Sequence, residues 1–148
     1  DYLPSSRHGF AAFAAALEGP DGAAVHRAYV AEIPGPSVSS ELRTRIVETM
    51  CSVPPAVAAA VIRGVAEWNG EGALWLCESI PVLVIRSGAS PSDEPARLRR
   101  LKADIELGVT VGAGHFNHLE VPDQVNAMIE RFLALVAAGV TSTAESPW

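Results

Sequence analysis

The sequence is poor in cysteine, in charge and in long apolar runs. Two cysteines, Cys51 and Cys77, cannot build a disulfide framework, so a reducing, cytoplasmic compartment is expected. No apolar run approaches the roughly 20 residues that span a bilayer, and no membrane partner is expected. Lys+Arg number 11 against 17 Asp+Glu, a formal net charge of -6. That balance argues against nucleic acid, whose phosphates need a basic surface, and points instead to a small substrate that is not a polyanion. There is no internal repeat and no low-complexity tract. The opening Asp1-Tyr2-Leu3-Pro4 has no initiator Met, basic stretch or signal-peptide apolar run, and reads as the start of a fragment or processed product.

What is present is the composition of an ordinary globular core. Hydrophobic residues make up 49% and charged residues 19% of 148 residues, a length that fits one domain. The two halves differ in texture. Residues 1–78 read as helices separated by Pro/Gly loops. The first helix runs from near Ser6 to Gly19, with Phe10, Phe13, Ala14 and Leu17 at helical spacing and Gly19 as a left-handed C-terminal cap. A second covers Ala23–Ala31, and Pro34-Gly35-Pro36 breaks the chain. Ser40 can cap a third helix carrying Leu42, Ile46 and Met50. Ser52 can cap a fourth, with Pro54 and Pro55 in its first turn and an apolar stripe of Val57, Val61, Val65 and Trp68.

From residue 79 the period changes. Ile80–Ile85 is a short continuous apolar run, the pattern of a strand buried on both faces. Ser87–Ser92 reads as a loop, Glu94–Lys102 as a short basic helix, Ile105–Val111 as a second strand and Gly112-Ala113-Gly114 as a turn. Val125, Met128, Ile129, Phe132 and Val136 mark a final helix from Pro122 to Ala138, closed by Gly139. Strand, helix, strand, helix implies a parallel α/β arrangement. Two parallel strands alone leave faces and edges uncovered, so these strands must join others: either the helical first half folds around them in an unusual way, or the missing strands lie on another polypeptide.

The string Gly112-Ala113-Gly114-His115-Phe116 followed by Leu119-Glu120-Val121-Pro122 resembles the last catalytic block of the α/β-hydrolase superfamily. Ile80–Arg86 resembles the family's penultimate strand and Asn126–Leu133 its final helix. Residues 1–78 resemble the helical cap that the family inserts after its sixth strand. The resemblance implies the C-terminal portion of an α/β-hydrolase fold: a cap over 1–78, then two parallel strands with flanking helices over 79–148. It also implies a cut near the end of the sixth strand. The family's Gly-x-Ser-x-Gly nucleophile elbow is absent from the sequence. The nearest string, Gly88-Ala89-Ser90-Pro91-Ser92, places Pro91 where the family uses a backbone N–H, and it lies one strand before the histidine. The nucleophile is therefore expected on an N-terminal segment, of the same gene product or a separate chain.

The resemblance gives His115 the role of general base, taking a proton from a serine hydroxyl and returning it to the leaving group. The acid that would orient it is Asp93, after the penultimate strand, or Asp1, at the place of the acid after the sixth strand. Asp93 also suits an N-cap before Glu94-Pro95, and Asp1 suits a frayed terminus. Glu120 and Pro122 are expected to be structural, Pro122 in a first helical turn and Glu120 favouring the positive helix start. His118 is expected at the surface or under the cap, and His8 and His26 in solvent. Arg97, Arg99, Arg100 and Lys102 read as a solvated helix face. Phe10, Phe13, Trp68 and Trp75 are core or pocket lining, and Cys51 and Cys77 small buried side chains. No cofactor is implied, and His115 with His118 lacks the further ligands of a metal site.

The resemblance implies an esterase-like hydrolase acting on an ester, lactone or related carbonyl of a small, apolar molecule. Two other readings stand beside it. One keeps the fold and uses the histidine–acid pair only to abstract a proton, in cofactor-free oxygenase, lyase or cyclase chemistry. The other is a non-catalytic binding protein of degenerate hydrolase fold. Homo-oligomerisation stays open.

Overall fold

The computed structural model describes residues 7–68, 79–88 and 94–140. The chain divides into two compact units, Asp1–Pro34 with Val38–Trp68, and Gly35–Ser37 with Asn69–Trp148.

The first unit is helical: α1 (Arg7–Glu18), α2 (Gly22–Glu32), α3 (Ser40–Cys51) and α4 (Pro55–Glu67). Ala14 and Leu17 of α1 bury completely with Ala59 of α4, and Phe13, Val25, Ala58 and Ile62 pack around them. The alanines set this arrangement, since a side chain of one carbon lets two helix backbones approach closely. Gly22 is required for the same reason: a Cβ there would fall on the Leu17 carbonyl. Phe13 also meets the Tyr29 ring at 4.5 Å, and burial pushes the Tyr29 phenol upward in pKa.

Several local expectations change here. Among the described residues only Gly112 and Gly139 have positive φ, so Gly19 ends α1 without a left-handed turn. The N-cap of α3 is Ser39, whose Oγ accepts from Leu42 N at 3.1 Å, not Ser40. Ser52 closes α3 instead of opening α4: its N–H and its hydroxyl both donate back to α3 carbonyls. Pro55 at the first position starts α4, where a missing N–H costs nothing. His26 is buried, with Gly22 and Val30 on the inner face of α2, and burial lowers its pKa. The stripe of α4 points outward: Val57, Val61 and Val65 are 50%, 59% and 48% exposed and Trp68 is 70% exposed. α4 is apolar almost all round, and its smaller residues, Ala58 and Ala59, with Ile62, won the inner face because they fit closer to α1.

The second unit holds β1 (Leu83–Ser87), α5 (Glu94–Leu101), β2 (Glu106–Thr110), α6 (Asn117–Glu120) and α7 (Pro122–Ala137). β1 and β2 are parallel, in register from Leu83 opposite Glu106 to Ser87 opposite Thr110. β1 begins later than the apolar run and continues through Arg86 and Ser87. Pro81 has no N–H for a ladder, and pairing with β2 sets the far limit. Every β1 residue is half-buried, where a strand buried on both faces was expected. Ile105, Thr110, Ala113 and Val125 form the buried interior. Met128 of α7 lies over Gly108, where an added Cβ would sit 2.6 Å from its sulfur. Gly139, at φ 70°, closes α7.

Lys102 is not on a solvated face. It is 7% exposed, and its Nζ donates to both Asp104 carboxylate oxygens at 2.8 and 2.9 Å. Those bonds hold the Asp104 carboxyl below its ordinary pKa. Arg99 and Arg100 are exposed as expected. Cys51 is half-buried, while Cys77 and Trp75 lie outside the described residues.

Candidate active site

His115 lies in the turn that follows β2, at the C-terminal end of the parallel pair, where α/β sheets place their ligands. β2 ends at Thr110, whose hydroxyl donates to the Arg86 carbonyl of β1 at 3.2 Å. The chain then reverses through Gly112, whose φ of 77° suits glycine. Ala113 and Gly114 are buried, and His115 emerges exposed. Its ring meets Phe116 edge-on, with centroids 5.1 Å apart. Among the described residues its imidazole has no hydrogen-bond partner, and its position is set by the backbone that carries it.

That backbone is fastened residue by residue. The Gln124 side-chain amide reads both polar groups of Val111, accepting from its N–H at 2.9 Å and donating to its carbonyl at 3.1 Å. The Ser37 hydroxyl donates to the Gly112 carbonyl, and the Ser87 hydroxyl to the Ala113 carbonyl. Glu120 Oε2 accepts from Gly114 N and from Gly35 N, each at 2.8 Å, while Oε1 accepts from Phe116 N at 3.1 Å. The Phe116 carbonyl in turn accepts from Leu119 and Glu120 N–H at 2.8 and 2.9 Å, which starts α6.

Glu120 is thus structural, but not as the anion of a helix start. Both its oxygens are spent on backbone donors of the histidine turn and of the Gly35 segment. Pro122 does occupy the first position of α7, as expected. His118 is exposed. Asp1, Asp93 and Ser90 lie outside the described residues, and so does the side chain of His8. Among the described residues no group of three or more His, Cys, Asp or Glu side chains is placed to hold a metal ion.

Gly35, Ser37, Ser87 and Gln124 were missed by sequence reasoning. Pro34-Gly35-Pro36 read only as a helix breaker. Its partner, the Glu120 carboxylate, is 85 residues away, and no local pattern carries that pairing. Gln124 had a signal: a long amide in the first turn of a helix can reach back to the strand that precedes it.

An open apolar groove of about 460 Å³ runs along α7 and the two strands, lined by Leu83, Leu107, Gly108, Met128, Phe132 and Leu135 among others. None of the turn residues 111–116 lines it.

The fold these elements define is mixed α/β, mostly helical, with two parallel strands and the histidine turn at their C-terminal end. It is shared with a thermophilic esterase from Thermogutta terrifontis, solved with malate bound. The match has a TM-score of 0.70 and 23% sequence identity over 90% of this chain. The chain spans 52% of that esterase. No protein-family model matches the sequence, and no curated protein does.

Proposed function

We propose that this chain is the histidine-bearing, C-terminal part of an α/β-hydrolase that cleaves an ester, lactone or related carbonyl substrate. The single observation that carries the reading is the fastened turn after β2. It presents an exposed imidazole at the C-terminal end of a parallel sheet, in a fold shared with an esterase. In this mechanism His115 takes the proton of a serine hydroxyl as the serine attacks the carbonyl carbon. It then returns that proton to the leaving alkoxide, and a water repeats both steps to release the acyl group.

The serine and its oxyanion-hole donors come from an N-terminal segment, which also continues the sheet. Three features support this. The sequence contains no Gly-x-Ser-x-Gly. The chain spans 52% of its esterase neighbour. The half-buried strand β1 and the open apolar groove along α7 are surfaces suited to further chain. Residues 1–78 act as the cap over the substrate, and Asp1 or Asp93 orients the imidazole.

The test is a fluorophosphonate probe on the natively purified protein, with hydrolysis of a short p-nitrophenyl ester as the activity. A serine outside this chain should be labelled, and His115→Ala should lower kcat about 10²- to 10⁴-fold. Failure to label, or near-normal turnover in the alanine variant, refutes the proposal.

A further inference from the structure

The geometry points to the Gly35–Ser37 strap, locked by Glu120, as a positioning element for His115. The inference rests on the reading of His115 as a general base and names further residues that set its efficiency.

Most fastenings of the histidine turn come from its own neighbourhood. Ser87 ends β1, Gln124 starts α7 and Phe116 opens α6. These belong to one strand–helix block and suffice to form a turn there. The strap is different. It comes from the connection between α2 and α3, more than 70 residues earlier, yet it belongs to the same compact unit as the turn. Ser37 holds the Gly112 carbonyl, and Gly35 N–H shares one oxygen of Glu120 with Gly114 N–H. One carboxylate oxygen therefore ties strap and turn together one residue before the histidine.

At Gly35 the approach is too close for any side chain. A Cβ at Gly35 would lie 2.6 Å from Glu120 Oε2 and 2.8 Å from the Ala113 carbonyl carbon. A Cβ at Gly112 would lie 3.4 Å from the Ser37 hydroxyl oxygen. The strap thus lies close against Gly114 at Gly35 and in ordinary contact with Gly112 at Ser37. The placement of this backbone sets where the imidazole starts from, and the acid proposed above orients the ring from that position. A displacement of about 1 Å in a reacting group can cost about 10²-fold in rate.

The test compares Gly35→Ala, Ser37→Ala and Ser37→Thr in the natively assembled protein, with the same ester assay. Gly35→Ala should lower kcat about 10- to 100-fold with KM changed less than about threefold, the split of a misplaced base. Ser37→Ala should lower it by less, and Ser37→Thr, which keeps the hydroxyl, should restore it. Amide exchange supplies a second readout that needs no turnover. Gly114 and Phe116 should exchange faster in Gly35→Ala and Ser37→Ala, while amides of β1 and β2 keep their protection. Unchanged kcat and unchanged Gly114 exchange in Ser37→Ala would overturn the inference, and that variant introduces no clash. So would faster exchange throughout the chain with no recovery in Ser37→Thr. If His115→Ala itself keeps its turnover, the general-base reading falls, and the positioning role falls with it. If His115→Ala is inactive while Gly35→Ala is normal, only the strap's role is lost.

Discussion

Glu120 offers the sharpest test of how the histidine turn is held. Replacing it with alanine removes the acceptor of three backbone donors, the N–H groups of Gly35, Gly114 and Phe116. Gly35 and Gly114 are buried and Phe116 half-buried. Leaving a buried donor unsatisfied costs about 1–3 kcal/mol, and these donors lose a charged acceptor. Counting the two glycines in full and Phe116 at the low end gives about 3–7 kcal/mol. That is a large share of the roughly 5–15 kcal/mol by which a domain is stable. Glu120→Gln should be much milder. Its carbonyl oxygen has two lone pairs and can serve Gly35 and Gly114 together, while its NH2 group then faces the Phe116 donor and forfeits one bond. The cost falls to about 1–2 kcal/mol. Urea denaturation of both variants measures this, with Glu130→Ala on exposed α7 surface as the control. A midpoint shift with unchanged m-value is the expected form. The reasoning fails if Glu120→Ala costs no more than the roughly 0.5 kcal/mol of an ordinary surface change, or if the two variants are equal.

Two further outcomes follow from the packing. Alanine at Gly22 should destabilise more than alanine at Gly108, although alanine is the better helix former by about 1 kcal/mol. The Gly22 Cβ would meet the fixed Leu17 backbone, whereas the Gly108 Cβ would meet the movable sulfur of Met128. Thermal melts of the two variants decide the order, and the reverse order refutes it. The buried His26 should make stability fall in acid. Burial lowers its pKa in the folded chain. The unfolded chain therefore binds the proton first as pH drops through about 6.5. Its contribution is complete above that pH and is lost progressively below it, down to the folded value, at no more than about 1.4 kcal/mol per pH unit. His26→Gln should flatten this slope below about pH 6.5, measured by melting temperature against pH. An unaltered slope rules His26 out as the cause.

What the sequence made legible, and what it hid, divides along a physical line. Properties set within a few residues were readable. Phe13, Ala14 and Leu17 predicted the buried face of α1, and the Pro122 and Gly139 punctuation predicted the limits of α7. The change of period near residue 80 predicted the parallel strand–helix–strand order. Limits set by a distant partner were not readable. β1 extends through Ser87, read as the start of a loop, because Thr110 of β2 pairs with it, and the residue's chemistry does not announce it. α4 has candidates for burial on every side, so its spacing alone could not choose between the valine stripe and the alanines that meet α1. Lys102 read as solvated because it continues a run of basic residues, yet Asp104, two residues on, supplies a charge that makes its burial tolerable.

The same division runs through the site. His115 could be picked out because glycines, histidine, glutamate and proline stand within one short string. The hydrogen bonds that aim it could not, because half of the lock lies in a Pro-Gly-Pro segment whose residues also explain a simple break between helices. A glycine between two prolines needs no further reason in sequence, and here it has one: the Glu120 carboxylate fills the space where its side chain would be. Motif reading therefore locates the candidate base, whereas its placement depends on residues that carry no chemistry of their own. Substitutions in that segment should accordingly act on kcat before they act on KM, and this is the behaviour that would separate a strap from a passive loop.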